Sequence, residues 1–239
     1  MSVTLLVLVI LVALTFTYIN GFHDTANSIA TVVATKVLTP GQAVILAAIT
    51  NLVGALLGTA VAATIAEGLV NTGMIQAGGL FLLSALLGAS IWNIFTWLLG
   101  LPSSSSHALV GGLVGAAIAA SGNAFGSVIW WAPGGDSWWL AQGVVPKVII
   151  PMVISPILGF ILAMVLMLLL YLFLVWVSRR RGITRRLGRT PFVNAFFGKA
   201  QLVSASAMGL SHGMNDAQKT MGVVALALAG ATAAGTLNG

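Results

Sequence analysis

"NGFHDTANS" (residues 20–28) and "HGMNDAQKT" (residues 212–220) superpose without a gap: Gly21 falls on Gly213, Asp24 on Asp216 and Ser28 on Thr220. Each copy follows an apolar stretch and precedes a run of small residues. Placing an aspartate at a bilayer midplane costs about 2.5–3.5 kcal/mol on insertion scales, so two in matching positions call for a reason. Polar, glycine-interrupted segments at corresponding places in two halves point to a transporter site built between inverted repeats, on broken helices.

The surroundings of both copies support a membrane setting. Residues are 59% hydrophobic and only 6% charged, against about 25% charged in soluble domains. Residues 148–177 carry no charge, and between Gly68 and Gly135 the only ionisable side chain is His107. Apolar segments fall near 2–20, 42–66, 79–100, 107–121, 148–177, 200–212 and 221–234. The three shorter ones, 107–121, 200–212 and 221–234, read as broken or re-entrant helices, since about 20 residues are needed to span. The expected fold is all-α, a polytopic helical membrane protein with inverted repeats, the second incomplete. The first 20 residues lack a basic start and a small-residue cleavage pattern, so they read as a retained helix.

The net charge of +6 is a topological signal. Six of the ten basic residues lie between Arg179 and Arg189, directly after an apolar span, which marks a cytoplasmic loop and places no nucleic acid among the partners. The chain then divides into a first transmembrane repeat (1–178), a basic cytoplasmic loop (179–199) and the start of a second repeat (200–239). With no Lys or Arg before Lys36, the amino terminus is expected outside. "WWAPGGDSWW" (130–139) reads as an interfacial loop with an aromatic belt. Glycine pairs at Gly54/Gly58, Gly111/Gly115 and Gly209/Gly213 have the spacing that lets membrane helices approach closely. Cysteine is absent, which excludes disulfides and thiolate metal sites.

Chemistry-bearing residues gather in three places. Asp24 and Asp216 could each cap the helix that follows, but neutral Ser or Asn would cap more cheaply in lipid. With Asn20, Asn27 and Asn215 they can form an oxygen-rich cage for a proton or hard cation. In "GLPSSSSHALVGG" (100–112), Pro102 breaks the chain and Ser103, Ser104, Ser105 and Ser106 open a glycine-rich helix. Its amide donors and hydroxyls form a candidate oxyanion cradle, a better reading than a flexible linker because apolar helices flank it closely. His23, His107 and His212 are candidates for proton relay or metal contact. Lys219, matching Asn27, could neutralise Asp216, favour an anionic substrate, or both.

These motifs resemble the inorganic phosphate transporter (Pit) family, whose signature is a repeated "G-A-N-D-x-A-N-A"-like segment with a proline-serine/threonine loop in each half. "GFHDTANS" resembles the first copy, "GLPSSSSH" the loop and "SHGMNDAQKTMG" the second copy, over about residues 18 to 228. The wording around His23 and Lys219 looks most like the bacterial low-affinity members. The resemblance implies a multi-pass protein of the cell (inner) membrane, not an enzyme. It implies proton-coupled symport of inorganic phosphate, in part as a complex with a divalent metal, and no resident cofactor. It also implies that Asp24, Asn27, Asn215 and Asp216 form the ion and substrate cage, with His23 beside it, and that Ser103–Ser106 and Lys219 meet the anion. Sodium-coupled members carry asparagine where this chain has Lys219, so a proton is the expected coupling ion. The second proline-serine/threonine loop does not follow before Gly239. Inorganic phosphate and the lipid bilayer are the expected partners, with a homo-oligomer left open.

Two rivals are tested by the same residues. A sulfate permease of this architecture would handle an anion without a proton, whereas acceptor aspartates favour one that can donate. An intramembrane serine hydrolase would need one of Ser103–Ser106 hydrogen-bonded to His107 or His212, with an oxyanion hole.

Overall fold

The computed structural model describes residues 1–24, 26–57, 62, 68–71, 79–134, 140–179 and 190–236. These form helices α1 (Val3–Asp24), α2 (Ala26–Ala34), α3 (Pro40–Ala55), α4 (Gly79–Leu98), α5 (Ser105–Ala120), α6 (Ile150–Arg179) and α7 (Thr190–Ala233). Among the described residues, three stretches are long and apolar enough to cross a membrane: Val3–Ala34, Gly79–Leu98 and Val145–Val177. This is a polytopic helical membrane protein, as its composition indicates.

Local chemistry sets several boundaries. Thr39 caps α3 with a reciprocal pair: its hydroxyl accepts from the Gln42 amide at 3.4 Å, and Gln42 Oε1 accepts from the Thr39 amide at 3.1 Å. Pro40 follows at the first helical position, where its missing N–H is no loss. Gly100, at φ 65°, ends α4 with its amide and that of Leu101 bonding back to Trp97 and Thr96, and Ser104 caps α5 by accepting from the His107 amide at 3.4 Å. A π-helical turn, Val145–Ile149, leads into α6, which is apolar all round and largely exposed along its length. Such a surface suits lipid.

The interior is built on close backbone approach, because lipid tails leave little hydrophobic force between helices. A Cβ on Gly54 would meet the Leu210 carbonyl at 2.2 Å, and one on Gly213 the Asn51 carbonyl at 2.1 Å. α3 and α7 are therefore in backbone contact, as Gly54 and the Gly209/Gly213 pair suggest; Gly58 lies outside the described residues. Gly111 and Gly115 face open space; on α5 it is Gly112 that approaches Ala85. A core of Leu6, Val9, Phe16, Leu86, Leu109 and Val223 joins α1, α4, α5 and α7. Met1 and Leu5 lie against Gly79 and the rings of Phe22 and Trp97 are 5.2 Å apart, so α1 and α4 run parallel. α7 runs antiparallel to α1, pairing Thr17 with Thr220 and Asn20 with Asp216.

Two expectations are corrected. Residues 212–220 do not break a helix: α7 runs uninterrupted through them. No proline interrupts the segment, and its polar groups pair along the helix, His212 to Asp216 and Asp216 to Lys219. Pairs at these spacings support helix instead of unwinding it. The separate spans near 200–212 and 221–234 are thus one helix of 44 residues, roughly 66 Å long at 1.5 Å per residue. That is about twice the hydrocarbon thickness. Helix α7 also begins at Thr190, inside the stretch 179–199 assigned to a loop. The basic residues from 180 to 189, and Asp136 with the second tryptophan pair, lie outside the described residues.

Candidate functional site

The polar ends of α1, α5 and α7 meet at one point. Asp24, the last residue of α1, accepts from His23 Nδ1 at 2.9 Å on Oδ1 and from Ser105 Oγ at 2.9 Å on Oδ2. Ser105 in turn lies 3.4 Å from Lys219 Nζ, and Lys219 pairs with Asp216 Oδ1 at 2.5 Å. Asn20 Nδ2 donates to Asp216 Oδ2 at 2.7 Å. One hydroxyl and one ammonium thus tie the two repeated aspartates together across three helices. Atoms of Asp24, His212 and Asp216 also come within 4.8 Å of one another, a spacing at which two carboxylates and an imidazole can share one divalent cation.

The tautomer of His212 follows from its neighbours. Asn51 donates Nδ2 to the Ala47 carbonyl at 2.8 Å, which turns its Oδ1 toward His212 Nδ1 at 2.7 Å. That nitrogen therefore carries hydrogen. The other, Nε2, lies 2.8 Å from Asp216 Oδ2 but makes no aligned hydrogen bond. Two carboxylates here face one ammonium, leaving room for a proton or a cation.

The candidates from the sequence separate here. Asp24, Asp216, His23, Ser105 and Lys219 are brought together. The serine run is split by the helix it opens. Ser105 is 2% exposed and inside, Ser104 is spent as the cap of α5, and Ser103 and Ser104 line a separate groove with Trp92 and His107. Ser106 faces a larger cavity. Asn27 is exposed, and exposed Asn215 lines that cavity while donating to the Ser211 carbonyl at 2.9 Å. The expected four-residue cage of Asp24, Asn27, Asn215 and Asp216 is not assembled. Of the three asparagines, it is Asn20 that is buried and bonded to Asp216.

The cavity, about 630 Å³, is bounded by Ser106, His107, Lys147, His212, Asp216 and Lys219 among others. Lys147 is the residue that sequence reasoning missed. Its only sequence signal is isolation, a single cation beside Pro146 at the start of a long charge-free run. Within Ser103–Ser106 no hydroxyl bonds a histidine ring: Ser105 donates to a carboxylate, which is not the arrangement of a hydrolase.

Fold and site define the class: a polytopic helical membrane protein whose two repeated aspartates are paired in its interior rather than facing lipid. The model of the phosphate transporter family matches residues 20–237, and the chain belongs to that family. It is 46% identical to a probable low-affinity inorganic phosphate transporter of Mycobacterium tuberculosis over 94% of this chain and 48% of that protein. A similarly named protein of Streptomyces halstedii is 45% identical, over 90% of this chain and 88% of its own length. The low-affinity inorganic phosphate transporter PitB of Escherichia coli is 37% identical over 97% of this chain and 47% of its own. The chain thus spans about half the length of several curated relatives it matches. A solved structure described as a sodium-dependent phosphate transporter shares the fold. Its TM-score is 0.76 at 23% identity, covering 98% of this chain and 69% of that one. Its family and relatives are transporters, not enzymes.

Proposed function

We propose that the protein is a secondary-active inorganic phosphate transporter of the cell membrane, and that its site takes the anion together with balancing positive charge. The observation that carries this is the junction of Asp24, Ser105, Asp216 and Lys219, where donors for an oxyanion stand beside carboxylates. A dianion entering a site that already holds two carboxylates and one ammonium needs company. Protons on Asp24 or the His212–Asp216 pair, or a divalent metal held by Asp24, His212 and Asp216, would supply it. Lys147 and the two histidines around the cavity suit the approach of an anion.

The test is phosphate binding by the protein in nanodiscs. Ser105→Ala removes a buried donor, and a bond to a charged oxyanion contributes about 1.5–3 kcal/mol, so affinity is expected to fall by roughly 10- to 100-fold. Ser103→Ala, outside the junction, leaves affinity unchanged. Equal effects of the two substitutions would sink the assignment to this junction.

Coupling is assigned to the proton. Lys219 occupies the positive position beside Asp216, and two unit charges about 4 Å apart interact by roughly 4 kcal/mol at an effective dielectric near 20. A sodium ion there meets that penalty. In proteoliposomes, uptake is expected to follow an imposed proton gradient and to ignore sodium, with Lys219→Asn introducing sodium dependence. Strict sodium dependence of the wild-type protein would overturn the assignment.

A further inference from the structure

Helix α4 changes character along a single face. Its buried stripe begins as Leu82, Ala85, Leu86 and Ala89 and continues as Ser90, Asn93 and Thr96. Helix α1 does the same, from Val9, Ala13 and Phe16 to Asn20. The two run parallel and in step, so their polar ends lie at one level. The antiparallel neighbour α5 crosses α4 with Gly112 against Ala85. Counting equally along both helices from that crossing sets Asn93 opposite Ser104, next to the Ser105 that bonds Asp24.

Asn93 is 1% exposed, yet neither its Nδ2 nor its Oδ1 has a hydrogen-bond partner among the described residues, and the same holds for Ser90 Oγ. Thr96, a turn further on, bonds back to the Trp92 and Asn93 carbonyls. A buried carboxamide with both ends unpaired is rare, because an apolar residue of the same shape would fit at less cost. Ser90, three residues earlier, shares its face. A carboxamide offers a donor and an acceptor side by side. A protonated oxyanion offers the complement, one hydroxyl that donates and oxygens that accept.

We propose that Asn93, supported by Ser90, is the specificity residue that reads the proton of the transported oxyanion, Oδ1 accepting from P–OH and Nδ2 donating to an adjacent P–O. The assignment rests on the phosphate reading above. Sulfate, fully deprotonated at neutral pH, leaves Oδ1 facing a bare oxygen and is refused. Arsenate, which keeps a proton, is accepted. A site built to pair a hydroxyl rejects an analogue lacking it far more strongly than an apolar pocket does.

Competition of unlabelled phosphate, arsenate and sulfate against radiolabelled phosphate tests this on the whole chain in nanodiscs. The wild-type protein is expected to respond to arsenate and to ignore a large excess of sulfate. Asn93→Leu should lower phosphate affinity about 10- to 100-fold and bring the affinities for phosphate and sulfate close together. Its melting temperature should hold or rise, because two unpaired polar atoms have been removed. Asn93→Ser, which keeps a hydroxyl but cannot contact two oxygens at once, gives the same readout should the leucine variant not fold. A folded variant with unchanged phosphate affinity, or with unchanged discrimination against sulfate, overturns the role of Asn93. A wild-type protein that binds no phosphate overturns the reading beneath it as well.

Discussion

Lys219→Met is expected to destabilise the protein by about 3–5 kcal/mol, the cost of stripping one partner from a buried ion pair. Lys219 is 5% exposed, and its ammonium is held at 2.5 Å by Asp216 and approached at 3.4 Å by Ser105. Without it, Asp216 keeps only the His212 ring and the Asn20 amide beside it, and no ammonium stands between it and Asp24. The paired variant, Lys219→Met with Asp216→Asn, removes both charges and should recover most of that loss, because neutral groups of similar size are tolerated where a lone charge is not. Chemical unfolding of the two variants in detergent measures the difference. Should the double variant prove no more stable than the single one, the loss does not come from leaving Asp216 without its ammonium. Phosphate binding is expected to be lost in both, which separates what the pair does for folding from what it does for the anion.

Gly213→Leu is the second large effect. The new Cβ would lie 2.1 Å from the Asn51 carbonyl oxygen and 2.7 Å from its carbon. These are backbone atoms of α3 and cannot rotate aside, so the helices must separate. Overpacking costs about 1–3 kcal/mol and more when the neighbour is rigid. The displacement would also pull His212, next in the chain, from Asn51 Oδ1 and loosen the imidazole beside Asp216. Lower thermal stability together with weakened phosphate binding is therefore expected. Gly111→Leu, where a Cβ meets open space, serves as the control and should change neither. Because leucine is the better helix former, comparable losses at both glycines would show a general intolerance of added bulk, not the α3–α7 contact.

The residue types along the chain settled its class. A charge-poor composition with 30-residue apolar runs has no stable home in water, and a duplicated aspartate motif inside such runs requires an internal polar site. Asp24 with His23, and Asp216 with Lys219, were legible because their partners lie one to four residues away, within reach of a helix turn. The phosphate family was legible for the same reason: its motifs are short and contiguous.

What the sequence could not decide was which neighbours cross between helices. The four serines look alike in line, but helix geometry turns successive residues by about a quarter of a circle, so only Ser105 reaches Asp24 and Lys219 while Ser104 is consumed as a cap. Asn20, Asn27 and Asn215 look equally suited to a cage. The antiparallel crossing of α1 and α7 admits Asn20 and leaves the other two outside. Whether the second motif would unwind was also a tertiary question. Close backbone contact of α7 with α3, together with ion pairs along its own face, satisfies the segment as a helix. Lys147 gave no periodic or motif signal, because its position on the cavity wall comes from the turn that leads into α6. Composition and local pairing set the class and the charges, while the packing of helices through small residues chose which polar atoms meet.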